Sequence, residues 1–176
     1  MKKLALLSLI LLGFLIAPGL NAQVKNTEEN INAVKRQVNK TIGKWHKAAS
    51  EANFENYFKL MTDDAIFIGT DPTEKWNLPE FKKFSRPYFA SGKAWSFSTL
   101  DRDLYVHENL RVAWFDELLD TQMGICRGSG VVMKEKGKWK IHHYVLSIAI
   151  PNENVDEITK IKKEFDQDLI SKFKKN

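Results

Sequence analysis

Cysteine is nearly absent from the sequence: Cys126 is the only one among 176 residues. A disulfide needs two cysteines, so none can form within the chain, even in an oxidising compartment. Cys126 lies in a stretch of apolar residues and glycines that is typical of a β-strand. This setting predicts a buried, unreactive thiol rather than a catalytic nucleophile.

Sequence motifs of phosphate, covalent and metal chemistry are also missing. The stretch RGSG (127–130) lies inside an expected strand and lacks the further glycines and the lysine of a phosphate-binding loop. There is no Gly-x-Ser-x-Gly nucleophile elbow, which argues against covalent catalysis. No metal-ligand spacing relates the four histidines, His46, His107, His142 and His143. We therefore predict neither a metal nor a cofactor.

Net charge is small, at +5 for the full chain at pH 7. Many of the basic residues lie near the C-terminus, where acidic residues are interleaved with them. That pattern is typical of a solvated helix face, and we predict no nucleic-acid partner.

The apolar run at the N-terminus has the layout of a secretory signal peptide. Two lysines precede it, Pro18-Gly19 interrupts it, and the small residue Ala22 follows. We predict cleavage after Ala22, which makes residues 1–22 the signal peptide and the protein periplasmic or secreted. A retained N-terminal anchor is the alternative interpretation; after cleavage we expect no membrane association. The remaining 154 residues carry a net charge of +3, since Lys2 and Lys3 are lost, and suffice for one compact domain.

The mature chain reads as helices, then strands, then a final helix. Apolar residues spaced by three and four between Ile31 and Ala49 predict a long amphipathic helix. Asn77, Pro79 and Glu80 are typical of a capped helix start. Residues 94–150 alternate as strands separated by short polar turns, which predicts an antiparallel sheet. The resulting prediction is an α+β domain over residues 23–152, followed by an amphipathic C-terminal helix over 153–176.

Five short segments, in this order, resemble the SnoaL-like branch of the nuclear transport factor 2 (NTF2)-like superfamily: FIGTDPTEKW (67–76), GKAWSF (92–97), VAWFDELL (112–119), CRGSGVVMK (126–134) and WKIHHYVLSIAIPN (139–152). The resemblance implies a cone-shaped fold in which a curved antiparallel sheet wraps N-terminal helices and leaves a pocket on its concave side. The family includes cyclases, ketosteroid isomerase and dehydratases as well as non-catalytic association domains. The implied fold therefore predicts where a pocket lies but not which reaction, if any, takes place in it.

Asp116 and Glu117 are adjacent on an expected strand, so they point to opposite faces of the sheet. A two-residue loop at Lys136-Gly137 would pair Glu135 with Lys138, and a tight return at 121–123 would set Asp116 opposite Gly128. In this register Asp116 shares the concave face with the glycines. Glu117 then pairs with Arg127 on the convex face. A register slip of one residue would exchange these roles.

The same register places Asp116 beside His143 on the concave face, and we predict these two as an acid–base catalytic pair. The resemblance supports this expectation, because SnoaL-like cyclases and ketosteroid isomerase use a pocket carboxylate. A structural hydrogen bond between the two side chains is the alternative, and the sequence leaves open whether the protein is an enzyme.

Further pocket residues are predicted from the loop and from the aromatic residues. Asp71, Glu74 and Trp76 lie between a strand and a helix, at the mouth of the implied pocket; turn formation by Asp71 is the alternative. Four other aromatic residues could line the pocket or simply form core, namely Trp45, Tyr57, Trp95 and Trp114.

The function predicted from the sequence is that of an exported protein that binds a small apolar or aromatic molecule, with or without isomerase-, cyclase- or hydrolase-like turnover. The alternative is a non-catalytic dimerisation or ligand-carrier module. We also predict a homodimer, because Phe115, Tyr144, Leu146 and Ile148 would make the convex face apolar. The C-terminal helix could cover that face instead.

Overall fold

The computed structural model describes residues 19–175, with side chains from residue 27 onward. Residues 1–18 of the expected signal peptide lie outside the described part of the chain. The described residues form, in order, α1 (Gly19–Ser50), α2 (Phe54–Lys59), β1 (Met61–Ile68), β2 (Lys75–Asn77), α3 (Leu78–Ala90), β3 (Phe97–Val106), β4 (Val112–Thr121), β5 (Gly124–Glu135), β6 (Lys138–Ile148), a 3₁₀ turn (Asn152–Asn154) and α4 (Val155–Phe173).

Helix α1 supplies one wall of the hydrophobic core. The residues that it buries are spaced by three or four and therefore form one face of the helix. The apolar ones are Val34, Val38, Ile42, Trp45, Ala48 and Ala49, and His46 is buried beside them. This face packs against β3 and β6. The amphipathic spacing in the sequence thus predicts correctly which face is buried.

Helix α3 begins as its sequence predicts. The Asn77 side chain accepts a hydrogen bond from the Glu80 backbone N–H at 3.0 Å, and the Glu80 carboxylate accepts one from the Asn77 backbone N–H at 3.1 Å. Pro79 lies in the first turn, where its missing N–H costs no hydrogen bond. The helix passes through Pro87 and ends before Gly92, whose φ of 71° suits a glycine.

The six strands form one sheet in the order β2-β1-β6-β5-β4-β3. Neighbouring strands are antiparallel except β1 and β6, which are parallel. The helices α1 and α3 lie on the concave side. The predicted succession of helices and a bent, mainly antiparallel sheet is confirmed.

The β5–β6 hairpin begins in the predicted register. Lys136 and Gly137 form its loop with φ of 47° and 80°, as a turn with two positive φ angles requires, and Glu135 pairs with Lys138. The register then shifts by one, because His142 forms a bulge in β6. Thr62 of β1 is hydrogen-bonded to the bulged His142 side chain at 3.1 Å.

The predicted register between β4 and β5 is wrong by one residue. The loop consists of Gln122 and Met123 alone, so Thr121 pairs with Gly124, and Asp116 pairs with Ser129 instead of Gly128. Glu117 pairs with Gly128. Because side chains alternate between faces, this single step moves Glu117 to the concave side and Asp116 to the convex side.

Helix α4 packs loosely on the domain, and no residue of it is buried. Ile161, Phe165, Ile170 and Phe173 are all exposed. Within residues 19–175, the helices are all too short or too polar to cross a bilayer.

Candidate functional site

The concave side of the sheet carries a cavity of about 560 Å³ that opens to solvent. Helix α3, the irregular segment 91–96 and the ends of β1, β2 and β3 form most of its wall. Seven aromatic side chains line it: Phe67, Trp76, Phe81, Phe84, Tyr88, Trp95 and Phe97. Several of these rings stack, among them Trp76 on Phe84 with centroids 4.4 Å apart. Such a wall suits a flat apolar molecule.

The cavity has a smaller polar part at its rim. Glu74 is the one carboxylate that lines it among the described residues, and Lys93 is the one cation. The Glu74 backbone carbonyl accepts a hydrogen bond from Gly69 N–H at 2.9 Å. A Cβ at position 69 would lie 2.1 Å from Glu74 Oε2, so a larger residue there would displace the Glu74 carboxylate.

Asp71 forms a turn beside the cavity and does not line it. Its carboxylate accepts hydrogen bonds from the Thr73 backbone N–H at 2.8 Å and the Thr73 hydroxyl at 2.5 Å. These hydrogen bonds lower the pKa of Asp71 from its usual value. Asp71 instead borders a shallow depression with Phe165 of α4. The structure thus agrees with the turn interpretation of this residue.

Glu117 is the centre of a sealed polar network behind the cavity. Its side chain is inaccessible to solvent. Oε1 accepts hydrogen bonds from His46 Nε2 at 2.8 Å and from the Tyr144 hydroxyl at 2.9 Å. Oε2 accepts two from Arg102, at 2.9 Å from Nε and 2.5 Å from Nη2. A carboxylate offers only acceptors, so His46 must donate from Nε2.

Arg102 is held by further contacts around the network. Its Nη1 donates to the Asn39 side chain at 2.6 Å, and its Nη2 also donates to the Thr99 hydroxyl at 2.9 Å. Arg102 lies directly opposite Glu117 in the β3–β4 register. The expected ion pair between Glu117 and Arg127 is therefore wrong: Arg127 pairs with Leu118 and is exposed.

The network keeps Glu117 ionised. Burial by itself raises the pKa of this carboxyl, but the hydrogen bonds and charges of His46 and Arg102 outweigh burial and lower it from its usual value. Burial and then the neighbouring Glu117 raise the pKa of Tyr144 well above its ordinary value, so its hydroxyl remains a donor. Glu117 is thus a fixed, paired anion rather than a group ready to accept a ligand proton.

The two glycines of β5 make room for this packing. A Cβ at Gly128 would lie 2.2 Å from the Tyr144 hydroxyl and 3.0 Å from Glu117 Cγ. One at Gly130 would lie 2.8 Å from the Phe115 ring. The glycines do mark the concave face, as predicted, but side chains of the core occupy the space beside them.

The predicted catalytic pair lies on the opposite side of the sheet from the cavity. Asp116 is flanked by Asp103 and Ser129, whereas His143 is flanked by Val131 and Ile66. The register slip and the His142 bulge account for the difference from the expectation. Burial, then the nearby His142 and Lys75, lower the pKa of His143.

The predicted ligand-binding aromatic residues divide into three groups. Trp76 and Trp95 line the cavity, together with the predicted Glu74. Trp45 and Tyr57 are fully buried behind its wall. Trp114 lies on the convex face, where it is 46% exposed and stacks on Tyr105. Whether any of these residues contacts a ligand stays a prediction.

Two features of the site were missed in the sequence. Phe81, Phe84 and Tyr88 line the cavity, and their spacing of three and four on α3 could have shown that they share one helix face. The Glu117 network joins α1, β3, β4 and β6. No local sequence pattern indicates a contact between residues that are so far apart along the chain.

Comparison with known proteins identifies the family. A family model described as a SnoaL-like domain matches residues 38–151. The chain belongs to the SnoaL-like domain family. No curated protein matches the chain significantly. The predicted SnoaL-like family is thereby confirmed, and solved structures with an NTF2-like fold confirm the cone-shaped α+β fold.

Solved structures with this fold resemble the SnoaL-like chain at low sequence identity. An NTF2-like protein from Pseudomonas putida KT2440 has a TM-score of 0.58 and 12% identity, over 70% of this chain and 92% of that one. A proposed ketosteroid isomerase from Shewanella frigidimarina has a TM-score of 0.54 and 15% identity, over 65% of this chain and 96% of that one. The CaMKII association domain of C. elegans has a TM-score of 0.54 and 19% identity, over 66% of this chain and 97% of that one. These likenesses concern the fold alone.

Proposed function

We propose that this SnoaL-like protein binds a small, flat, apolar or aromatic organic molecule in the concave cavity. The observation that carries the proposal is the cavity wall of seven aromatic side chains around about 560 Å³. A volume of this size is within the range of small-molecule sites, and apolar walls with few polar groups are typical of them.

The proposed activity is ligand binding. Asp116 and His143, the acid–base pair predicted from the sequence, take no part in it. General acid–base catalysis needs a titrating group within hydrogen-bonding reach of the ligand. Asp116 and His143 lie on the other face of the sheet, and Glu117 is sealed and paired. Resemblance to a proposed ketosteroid isomerase supports the pocket but not a particular reaction.

Titration with N-phenyl-1-naphthylamine, a neutral aromatic probe whose fluorescence rises in apolar surroundings, tests the binding proposal. We expect saturable binding to the wild-type protein. Trp76→Ala, which removes a ring from the wall, should weaken binding by about tenfold or more, as expected for loss of a buried aromatic contact. Trp114→Ala is the matched control and should change it by less than about twofold, since a surface residue outside the site contributes little.

Two results would contradict the proposal. The first is the absence of saturable binding to folded wild-type protein. The second is an equal loss of affinity in Trp76→Ala and Trp114→Ala, which would place the probe outside the cavity.

We further propose that the protein is exported and forms a homodimer. The N-terminal layout supports export, and mass spectrometry of protein from its native host should find a mature chain that begins at Gln23. A soluble product that retains the apolar run would refute export.

The exposed Tyr105–Trp114 stack on the convex face supports the proposed homodimer.

A further inference from the structure

Two buried side-chain polar atoms make no hydrogen bond of standard geometry among the described residues: Trp45 Nε1 and the Tyr57 hydroxyl oxygen. Trp45 is 0% exposed and Tyr57 1%. An unpaired polar atom in the core costs stability, and native proteins contain few of them. Phenylalanine would pack at position 57 without this cost, so the hydroxyl calls for an explanation other than packing.

Trp45 and Tyr57 lie next to each other, directly behind the cavity wall. Their rings stack with centroids 4.9 Å apart. Tyr57 also meets two rings that line the cavity, Trp95 at 5.5 Å and Phe81 at 6.1 Å, both edge-on. Trp45 contacts a third, Phe67, at 6.3 Å. The Trp45 and Tyr57 rings therefore lie directly behind side chains that line the cavity.

Trp95 is the part of this layer that can most readily give way. It is only partly buried, and it lies in the irregular segment 91–96 between α3 and β3. Burial raises the pKa of Tyr57 well above its ordinary value, and hydrogen bonding from the Trp95 side chain to the Tyr57 oxygen offsets this rise in part. Because the indole N–H of Trp95 can only donate, the Tyr57 proton itself has no acceptor. The Tyr57 hydroxyl is therefore protonated at neutral pH and available as a donor.

We propose that the Tyr57 hydroxyl is an inner subsite of the cavity, where it donates a hydrogen bond to an oxygen of the ligand once the Trp95 ring is displaced. The ligand class is then a flat apolar molecule with a carbonyl or hydroxyl oxygen at its leading end. This assignment rests on the proposed ligand-binding function of the cavity.

Tyr144 is the comparison for Tyr57, because it is a buried tyrosine with a structural hydrogen bond. It is equally buried, but its hydroxyl donates to Glu117 at 2.9 Å. Removal of that hydroxyl leaves Glu117 with one donor fewer. Removal of the Tyr57 hydroxyl takes a donor away from no acceptor among the described residues, because its proton is unpaired and Trp95 can only donate to it. The two Tyr→Phe variants should therefore behave differently.

The experiment compares two probes of similar shape, 2-acetylnaphthalene, which carries a carbonyl, and 2-ethylnaphthalene, which does not. Each displaces N-phenyl-1-naphthylamine from wild-type protein and from Tyr57→Phe. We expect Tyr57→Phe to weaken binding of the ketone by about fivefold, the effect of one hydrogen bond. Binding of the hydrocarbon should weaken by less than about twofold.

Stability provides a second measurement that a structural role would move. In the absence of probe, urea unfolding of Tyr57→Phe should show an unchanged or higher midpoint, whereas Tyr144→Phe should show a lower one. A decrease for Tyr57→Phe as large as that for Tyr144→Phe would mean that the hydroxyl already has a structural partner, and would overturn the inference.

The binding outcomes separate this inference from the function on which it rests. If wild-type protein binds neither probe, both the ligand-binding proposal and the subsite are refuted. If it binds both, and Tyr57→Phe weakens neither or weakens both equally, the subsite is refuted while the cavity remains a binding site.

Discussion

Glu117 is a buried carboxylate whose charge is compensated by three neighbouring side chains. Four donors on His46, Arg102 and Tyr144 converge on its carboxylate in a solvent-free setting. Taking the charges out of water costs several kcal/mol, and the pairing offsets that cost only while every member is present. Gly128 completes the arrangement because its missing side chain leaves the Tyr144 hydroxyl room to reach Glu117.

Glu117→Ala should therefore lower the free energy of unfolding by about 3–5 kcal/mol, because it leaves Arg102 buried without its anion. Urea unfolding followed by circular dichroism measures the change. The matched control is its neighbour: Asp116→Ala, on the convex face, should change stability by less than about 1 kcal/mol. Equal losses in the two variants would contradict the assignment of the two faces.

The Glu117 network should also make stability depend on pH at the acid end. The pKa of Glu117 is lower in the folded protein than its ordinary value of 4.5. A depressed pKa stabilises the fold fully above the ordinary value, and this contribution is lost as pH falls through the folded pKa. Between pH 7 and pH 3, wild-type unfolding free energy should fall more steeply than that of Glu117→Gln, which cannot titrate at this position. Parallel curves would show that Glu117 does not contribute.

At the scale of elements, the two terminal helices differ in their relation to the core. α1 buries a continuous apolar face under the sheet, whereas α4 buries no residue and keeps Ile161 and Phe173 largely exposed. Burial of apolar area is the main stabilising contribution to folding, so α1 is integral to the domain and α4 is peripheral.

A chain that ends at Asn154 should therefore fold. We expect its free energy of unfolding to lie within about 1 kcal/mol of the full-length value, because the removed helix buries little apolar surface. Thermal and urea unfolding measure this. A loss of several kcal/mol, or failure to fold, would show that α4 packs on the domain more extensively than its exposure indicates.

At the scale of the whole molecule, the two faces of the sheet have separate tasks. The concave face carries the core and the cavity, and the convex face presents a stacked Tyr105–Trp114 pair together with Ile125, each more than 40% exposed. The four residues expected to make the convex face apolar lie on the concave side instead: Phe115, Tyr144 and Leu146 are buried there, and Ile148 pairs with the buried Cys126. Other apolar residues take their place.

The homodimer proposal predicts twice the chain mass by light scattering of the mature protein. Trp114→Lys should shift the population toward monomer, because a charge at a paired apolar surface has to be desolvated. Phe165→Lys on α4, at similar exposure, is the matched control. A monomer mass for wild-type protein at high concentration would refute the dimer. Dissociation by Phe165→Lys alone would assign the interface to α4.

Local patterns in the amino-acid sequence determined much of this protein by themselves. Spacings of three and four located α1, Asn77 with Glu80 located the start of α3, and Lys136-Gly137 located the last hairpin. Each of these is a short-range preference of the backbone or of one face of a helix. Five segments in order also identified the family, and with it a pocket on the concave side.

Only the tertiary structure decided which residues face that pocket. One residue in the β4–β5 loop exchanges the faces of Asp116 and Glu117, and the bulge at His142 moves His143 to the convex face. No local pattern distinguishes a two-residue return from a longer one here. The partners of Glu117 come from α1, β3 and β6, so they meet only when the sheet curves around the helix. Long-range convergence of this kind depends on packing rather than on local sequence, which is why the cavity could be anticipated and its chemistry could not.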